Sequence, residues 1–262
     1  MTAAASAVVT GAGSGIGRAI AQRLHHEGWA VVLVDLDAAS LAEATNALVS
    51  GATAVCGDVA DQRTHQLALE AALALGPLDA WVNCAGLTRP CPLPALTAEV
   101  AAATIDVNLY GTLWGTRTAV AHWVAQGVGG AVVNISSVHG RRAYPDHAVY
   151  EMSKAAIEAL TRNVAVSYAA AGIRANAVAP GAVRTPALAR SLDSAPDPAA
   201  ALAELTEFIP AGRLADPSEV AAAVAFLLSA ESAYLTGQTL VVDGAMTAHI
   251  GFTADPAAKR PA

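Results

Sequence analysis

Lysine is nearly missing from this 262-residue chain: Lys154 and Lys259 are the only two among 15 basic residues, and charged residues amount to 14%. The net charge of −7 argues against a nucleic-acid partner, for which a basic face would be expected. Acidic tracts are also absent, so the charge serves solubility. The three cysteines, Cys56, Cys84 and Cys91, cannot complete a disulfide set and lack paired metal-ligand spacing, so they are expected to be reduced, with no metal site. Long apolar runs are missing too. Stretches such as 220–228 fall short of the roughly 20 residues that cross a bilayer, and Met1 to Val9 carries no basic segment followed by an apolar core. The expected location is the cytoplasm, with no membrane partner.

What the chain has in quantity is apolar residues, at 54%. That content implies large buried parallel strands, extensive subunit contacts, or both. No linker composition interrupts the chain, so a single domain is expected over 1–262.

The first strong pattern is a short apolar strand, Ala7 to Thr10, running into Gly11-Ala12-Gly13-Ser14-Gly15-Ile16-Gly17 and then a helix to about Gly28. Strand, glycine loop and helix N-terminus in that order let backbone amides approach a pyrophosphate while the helix dipole favours its charge. A second strand, Ala30 to Val34, ends at Asp35, which stands 18 residues beyond Gly17. A carboxylate there accepts hydrogen bonds from an adenosine ribose and repels a 2′-phosphate, so NAD is expected over NADP. Arg18 is the one nearby cation.

Further strands are expected at Ala52 to Cys56, Leu78 to Val82, Ala131 to Ile135, Arg174 to Val178 and Thr239 to Val242. Asp61 starts a helix to about Leu75. Helix signals run from Thr97 to about Gln126 and from Val149 to Ala171. This alternation predicts an α/β fold, a Rossmann-like doubly wound parallel sheet of about seven strands. Ligands of such sheets gather beyond the strand carboxyl ends, where the glycine loop, Asp35, Asp58 and Asn83 fall.

Tyr150 and Lys154 stand four residues apart, so on a helix both leave one face a single turn apart. A phenol with a pKa near 10 is a poor proton acceptor at pH 7, and a fixed ammonium supplies part of the stabilisation that would tune it. Ser137 lies 13 residues before Tyr150, at the end of the strand that runs to Ile135.

Thr10-Gly11-x-x-x-Gly15-x-Gly17, Asn83-Cys84-Ala85-Gly86, Asn108, Ser137, Tyr150-x-x-x-Lys154 and Pro180-Gly181 occur in this order over nearly the whole chain. The chain thereby resembles the short-chain dehydrogenase/reductases of the compact single-domain kind, with Cys84 standing where that family often repeats asparagine. The resemblance implies a catalytic tetrad. Tyr150 would exchange a proton with the substrate oxygen and Ser137 would hold that oxygen. Lys154 would bind the nicotinamide ribose and lower the phenol pKa, and Asn108 would keep a water linked to Lys154. It also implies cofactor contacts at Gly11, Ser14, Gly15, Ile16, Gly17, Asp35, Asp58, Val59, Asn83, Ala85, Gly86, Pro180, Gly181, Val183 and Thr185, besides Tyr150 and Lys154.

Substrate contacts are expected at Ser137, Val138, His139, Tyr144, Tyr150 and Arg184, with Thr88, Arg89 and His147 nearby. Arg141 and Arg142 either recognise an anion or are solvated or intersubunit residues. The segment 187–213 is expected to form a small helical lid, and 253–262 a loose tail. Family members pair the two long helices and use a last strand like Gly237 to Gly244 in assembly, so a homo-oligomer, tetramer favoured, is expected.

The expected function is NAD-dependent interconversion of a secondary alcohol and a ketone. A 3-oxoacyl-carrier-protein-type ketoreductase using NADPH and a non-catalytic nicotinamide sensor are the alternatives.

Overall fold

Unbroken apolar strands require cover on both faces, and the computed structural model supplies it. The structure describes residues 5–48 and 50–248; the tail expected over 253–262 lies outside them. Chain order is β1 (Ser6–Thr10), α1 (Gly15–His26), β2 (Ala30–Asp35), α2 (Ala38–Asn46), β3 (Ala52–Cys56), α3 (Gln62–Leu75), β4 (Leu78–Asn83), α4 (Ala98–Ile105) and α5 (Gly111–Gln126). There follow β5 (Gly130–Ile135), α6 (Ala148–Tyr168), β6 (Ile173–Pro180), α7 (Pro186–Asp193), α8 (Pro198–Glu207), α9 (Pro217–Leu228) and β7 (Thr239–Val242).

Among the described residues the strands form one parallel seven-stranded sheet in the order β3-β2-β1-β4-β5-β6-β7. The chain reverses its direction of growth between β1 and β4, so their carboxyl ends open the crevice that such sheets use for ligands. Alternate side chains feed two cores. Ala7, Val9, Val31, Leu33, Ala80 and Val82 pack with Ile20, Leu24, Val220 and Val224 beneath α1 and α9. Val8, Val32, Trp81 and Val132 pack with Ala68, Val120, Trp123 and Val164 beneath α3, α5 and α6.

Two helices were not legible in the alternation. α2 is short and starts at Asp37, whose carboxylate accepts from the amides of Ala39 and Ser40. α9 carries the apolar stretch 220–228, which is a helix packed against α1 and opened by a capping box between Asp216 and Glu219. Its last carbonyls are gathered by the Arg174 guanidinium, which donates to Leu227, Leu228 and Ser229 oxygens at 2.8–3.3 Å.

The helix expected from Thr97 to Gln126 is interrupted. Residues Asp106–Tyr110 form a π turn between α4 and α5, with Asn108 buried inside it. Such turns widen the helix by one residue and redirect a side chain, often at functional sites.

Candidate active site

The loop after β1 is built around missing side chains. Gly11 has φ 67°, and a Cβ on it would lie 2.7 Å from the Ala85 Cα; one on Gly17 would run into the Gly11 carbonyl. Close packing of loop, helix and β4 therefore requires glycine at both places. Thr10 locks the two strand ends together, its hydroxyl accepting from the Cys84 and Ala85 amides at 3.0 and 3.1 Å. Ser14 is the N-cap residue of α1, yet its hydroxyl bonds to no amide of that helix. Ile16 anchors the first turn on the core, and a Cβ on Gly15 would lie 3.2 Å from the methyl of Thr185, the residue before α7.

Asp35 closes the floor of this loop. One carboxylate oxygen accepts from the Gly13 amide at 2.9 Å and the other from Asp37 at 3.1 Å. A Cβ on Gly13 would sit 2.9 Å from that first oxygen. Arg18 lies 3.8 Å from Glu43. Asp58 turns the next loop by accepting from the Ala60 amide, and Val59 is buried against Gly111. The Val59 carbonyl meets Nε2 of His65 at 2.8 Å, and burial holds His65 below the ordinary imidazole pKa.

At the reacting end, β5 runs into Ser136 and Ser137, and α6 presents Tyr150 and Lys154. Lys154 is buried, donates from Nζ to the Ile135 carbonyl at 2.9 Å, and has its nitrogen 5.5 Å from the centre of the Tyr150 ring. Burial pushes its pKa down to about 8. Burial also pushes the Tyr150 phenol above its ordinary value, an effect that the Ser137 hydroxyl partly offsets. Lys154, tied to Ile135 and itself disfavoured as a cation by desolvation, stands beside the ring as the one ammonium of this end of the site. The protein's own groups thus keep the phenol protonated.

Asn108 makes three hydrogen bonds through its side chain. Its amide oxygen accepts from the Leu87 amide at 2.8 Å, while its nitrogen donates to the Leu87 carbonyl at 2.9 Å and to Ser153 Oγ at 3.1 Å. Its side chain clamps the chain after Gly86 to α6, and a Cβ on Gly86 would crowd it, at 3.3 Å from Asn108 Oδ1 and 3.5 Å from Lys154 Nζ.

The matching family model, described as Enoyl-(Acyl carrier protein) reductase, covers residues 11–247. Among curated relatives, the chain is 39% identical over 250 residues to 3beta-hydroxysteroid dehydrogenase 1 of Eggerthella lenta, covering 94% of each protein. It is 40% identical over 246 residues to Cis-4-hydroxycyclohexanecarboxylate dehydrogenase of Sinomonas cyclohexanicum, covering 92% of this chain and 96% of that one. It is 37% identical over 248 residues to Glucose 1-dehydrogenase 2 of Bacillus subtilis, covering 92% and 94%. The chain belongs to the short-chain dehydrogenase/reductase family. Members of this family use nicotinamide cofactors, and these named relatives are dehydrogenases of compounds bearing hydroxyl groups.

Set in this short-chain dehydrogenase/reductase frame, the Asn83 side chain is a joint at the end of β4. Its nitrogen donates to Thr116 Oγ1 at 3.0 Å and Asn134 Oδ1 at 2.8 Å, and its oxygen accepts from Trp81 Nε1 at 3.0 Å, so its amide is spent joining β4, β5 and α5. Arg141 donates from Nε to the buried Glu158 carboxylate at 2.7 Å, which also accepts from Ser136. Arg184 reaches Asp216 at 3.7 Å on the exposed side. Val183 is buried and bridges to Ala215, and Thr185 caps α7. Gly181 is packed on Asp243 and, with Pro180, ends β6.

Val138, His139, Tyr144 and His147 form the wall beside Tyr150. Val138 is buried, and the His139 ring lies 5.5 Å from Tyr144, 5.7 Å from His147 and 5.9 Å from Tyr150. Asp146 at φ 63° bends this loop, and its carbonyl accepts from the Cys91 amide at 2.7 Å, holding the nearby 88–92 segment, in which Thr88 and Arg89 are exposed. Sequence inspection missed His65, Leu87, Glu151 and Glu158. Only Glu151, a charge inside Tyr150-x-x-x-Lys154, carried a visible signal. Segment 187–213 holds α7 and α8, and the three cysteines are free. No metal-holding cluster of His, Cys, Asp or Glu occurs among the described residues.

Proposed function

We propose that this oxidoreductase interconverts a secondary alcohol and a ketone with NAD, and that Tyr150 is its general acid and base. The observation that carries this reading is the convergence of Tyr150, Ser137 and buried Lys154 at the carboxyl ends of β5 and the start of α6, beside the glycine loop. The residues fit a dinucleotide. Gly11 and Gly17 leave the backbone free of Cβ atoms where it must approach a pyrophosphate, Ser14 has a spare hydroxyl, and Asp35 offers a carboxylate at the ribose end. Arg18 lies 3.8 Å from the Glu43 carboxylate, which offsets its charge; with Asp35 at the strand end this favours NAD and speaks against an NADPH-dependent acyl-carrier-protein ketoreductase.

A bound nicotinamide supplies or accepts the hydride and, when oxidised, adds a positive charge. Tyr150 Oη moves the proton: held neutral by the protein's own groups, it is the acid that reduction of a ketone requires, and it takes the proton back in oxidation. Ser137 steadies the substrate oxygen beside it. Lys154, fixed by the Ile135 carbonyl, orients toward a ribose hydroxyl, and Ala85, Gly86, Val183 and Thr185 frame the nicotinamide. The α7–α8 segment acts as a lid that excludes water.

Exposed Tyr110, Val124, Met152 and Val166 on the π turn, α5 and α6 support a tetramer built by pairing these helices. Its free cysteines fit a reducing compartment, and we place it in the cytoplasm. No helix among the described residues is long and apolar enough to cross a membrane. A panel of cyclic, sugar-like and aromatic secondary alcohols with NAD tests the function: growth of reduced-cofactor absorbance is expected, and cofactor binding without turnover of any alcohol or ketone indicates a sensor.

A further inference from the structure

We propose that His139 sets substrate specificity by accepting, at Nε2, a hydrogen bond from a second hydroxyl group, so that the preferred substrates are cyclic diols or polyols. This rests on the dehydrogenase function above and names its substrate class. His139 touches the reactive end directly, its ring edge-on to Tyr150 at 5.9 Å. Its two nitrogens face different surroundings. Nδ1 is buried without a hydrogen-bond partner, and the nearest carboxylate oxygen, Glu151 Oε1, lies 3.8 Å from it. That oxygen is itself fixed, because the Tyr144 amide donates to it at 2.6 Å.

A carboxylate beside Nδ1 places the imidazole proton there, which leaves the lone pair on Nε2. Burial and the neighbouring His147 hold the ring below the ordinary histidine pKa and outweigh Glu151, so the neutral form prevails at pH 7.5. His147 cannot compete for the Glu151 proton site, since its Nδ1 meets the Pro145 carbonyl at 2.6 Å. The groups facing His139 are thus Tyr144, His147, Tyr150 and Glu151. A quarter of the His139 side chain stays exposed, on a wall otherwise made of ring faces. Rings stack against the carbocycle or sugar ring of a substrate, and His139 Nε2, on the ring edge-on to Tyr150, is an acceptor among them, as is His147 Nε2. An acceptor next to a carboxylate welcomes a hydroxyl donor and rejects a second carboxylate.

The test compares kcat/KM with NAD for cyclohexanol, trans-1,2-cyclohexanediol and 2-hydroxycyclohexanecarboxylate, alongside 15N NMR of the imidazoles at pH 7.5. The wild type should favour the diol over cyclohexanol about tenfold and disfavour the carboxylate. His139→Phe should bring the diol preference to about one, and His139→Gln, which can offer an amide oxygen at the Nε2 position, should restore part of it. The NMR should show the Nδ1–H tautomer and a shift of unprotonated Nε2 when the diol is added to the NAD-saturated protein. A diol preference unchanged in His139→Phe, or an Nε2–H tautomer, overturns the proposal. If none of the three alcohols turns over, it is the dehydrogenase reading that fails for this class; the diol-induced Nε2 shift then decides the role of His139 alone, its presence upholding that role and its absence overturning it.

Discussion

Lys154 Nζ donates to the carbonyl oxygen of Ile135 at 2.9 Å, so the lysine of the Tyr150-x-x-x-Lys154 pair is anchored to the last residue of β5. The bond gives the ammonium a fixed place, and burial makes that charge costly. With a pKa of about 8 in the folded chain against an ordinary lysine value when unfolded, Lys154 carries its penalty at neutral pH, where both states are protonated. Between about pH 8 and the unfolded value only the unfolded chain keeps the proton, so the penalty is relieved as pH rises. Thermal unfolding of the wild type and Lys154→Met, followed from pH 6.5 to 9.5, should show the difference moving in favour of the wild type above pH 8. A difference that is flat across this range contradicts the assignment.

Asp35 and Gly13 act as one unit at the ribose end. Asp35→Ala should narrow the ratio of kcat/KM for NAD over NADP by about tenfold or more, because the carboxylate that repels a 2′-phosphate is gone. Gly13→Ala should weaken NAD binding as well, since the new Cβ lies 2.9 Å from the Asp35 oxygen and displaces it. Titration of each variant with both cofactors measures these effects, and a wild type that already prefers NADP refutes the ribose assignment.

Asn83 separates a structural joint from a cofactor contact. Asn83→Ala strands Trp81 Nε1, Thr116 and Asn134 in the core, at a cost of about 3 kcal/mol. Calorimetry should show Tm lower by roughly 6–12 °C for a domain of this size, with the preference for NAD over NADP retained at a temperature where the variant is folded.

Much of the fold was legible in the sequence because parallel strands buried on both faces read as unbroken apolar runs, as in Ala30 to Val34. The glycine loop was legible because glycines at this spacing after a strand are a pattern in themselves, and two of them, Gly11 and Gly15, have positive φ. What stayed hidden depends on distant partners. Asn83 meets groups 33 and 51 residues along the chain, and Arg141 finds Glu158 across 17. The π turn at Asn108 left no trace in the helix signals from Thr97 to Gln126, because hydrophobic spacing does not record a single inserted residue. The Tyr150–Lys154 spacing was visible, but the direction of the phenol shift was not, since it follows from burial that only packing creates.

The central claim is that Tyr150 Oη moves the proton in a hydride-transfer reaction. The most direct measurement compares Tyr150→Phe with the wild type in single-turnover oxidation of an alcohol by NAD, with cofactor affinity titrated in parallel. The account predicts a loss of about 10²–10⁴ in the chemical rate with NAD affinity within a few-fold of the wild type. A Tyr150→Phe protein that oxidises the alcohol at a rate near the wild type contradicts it.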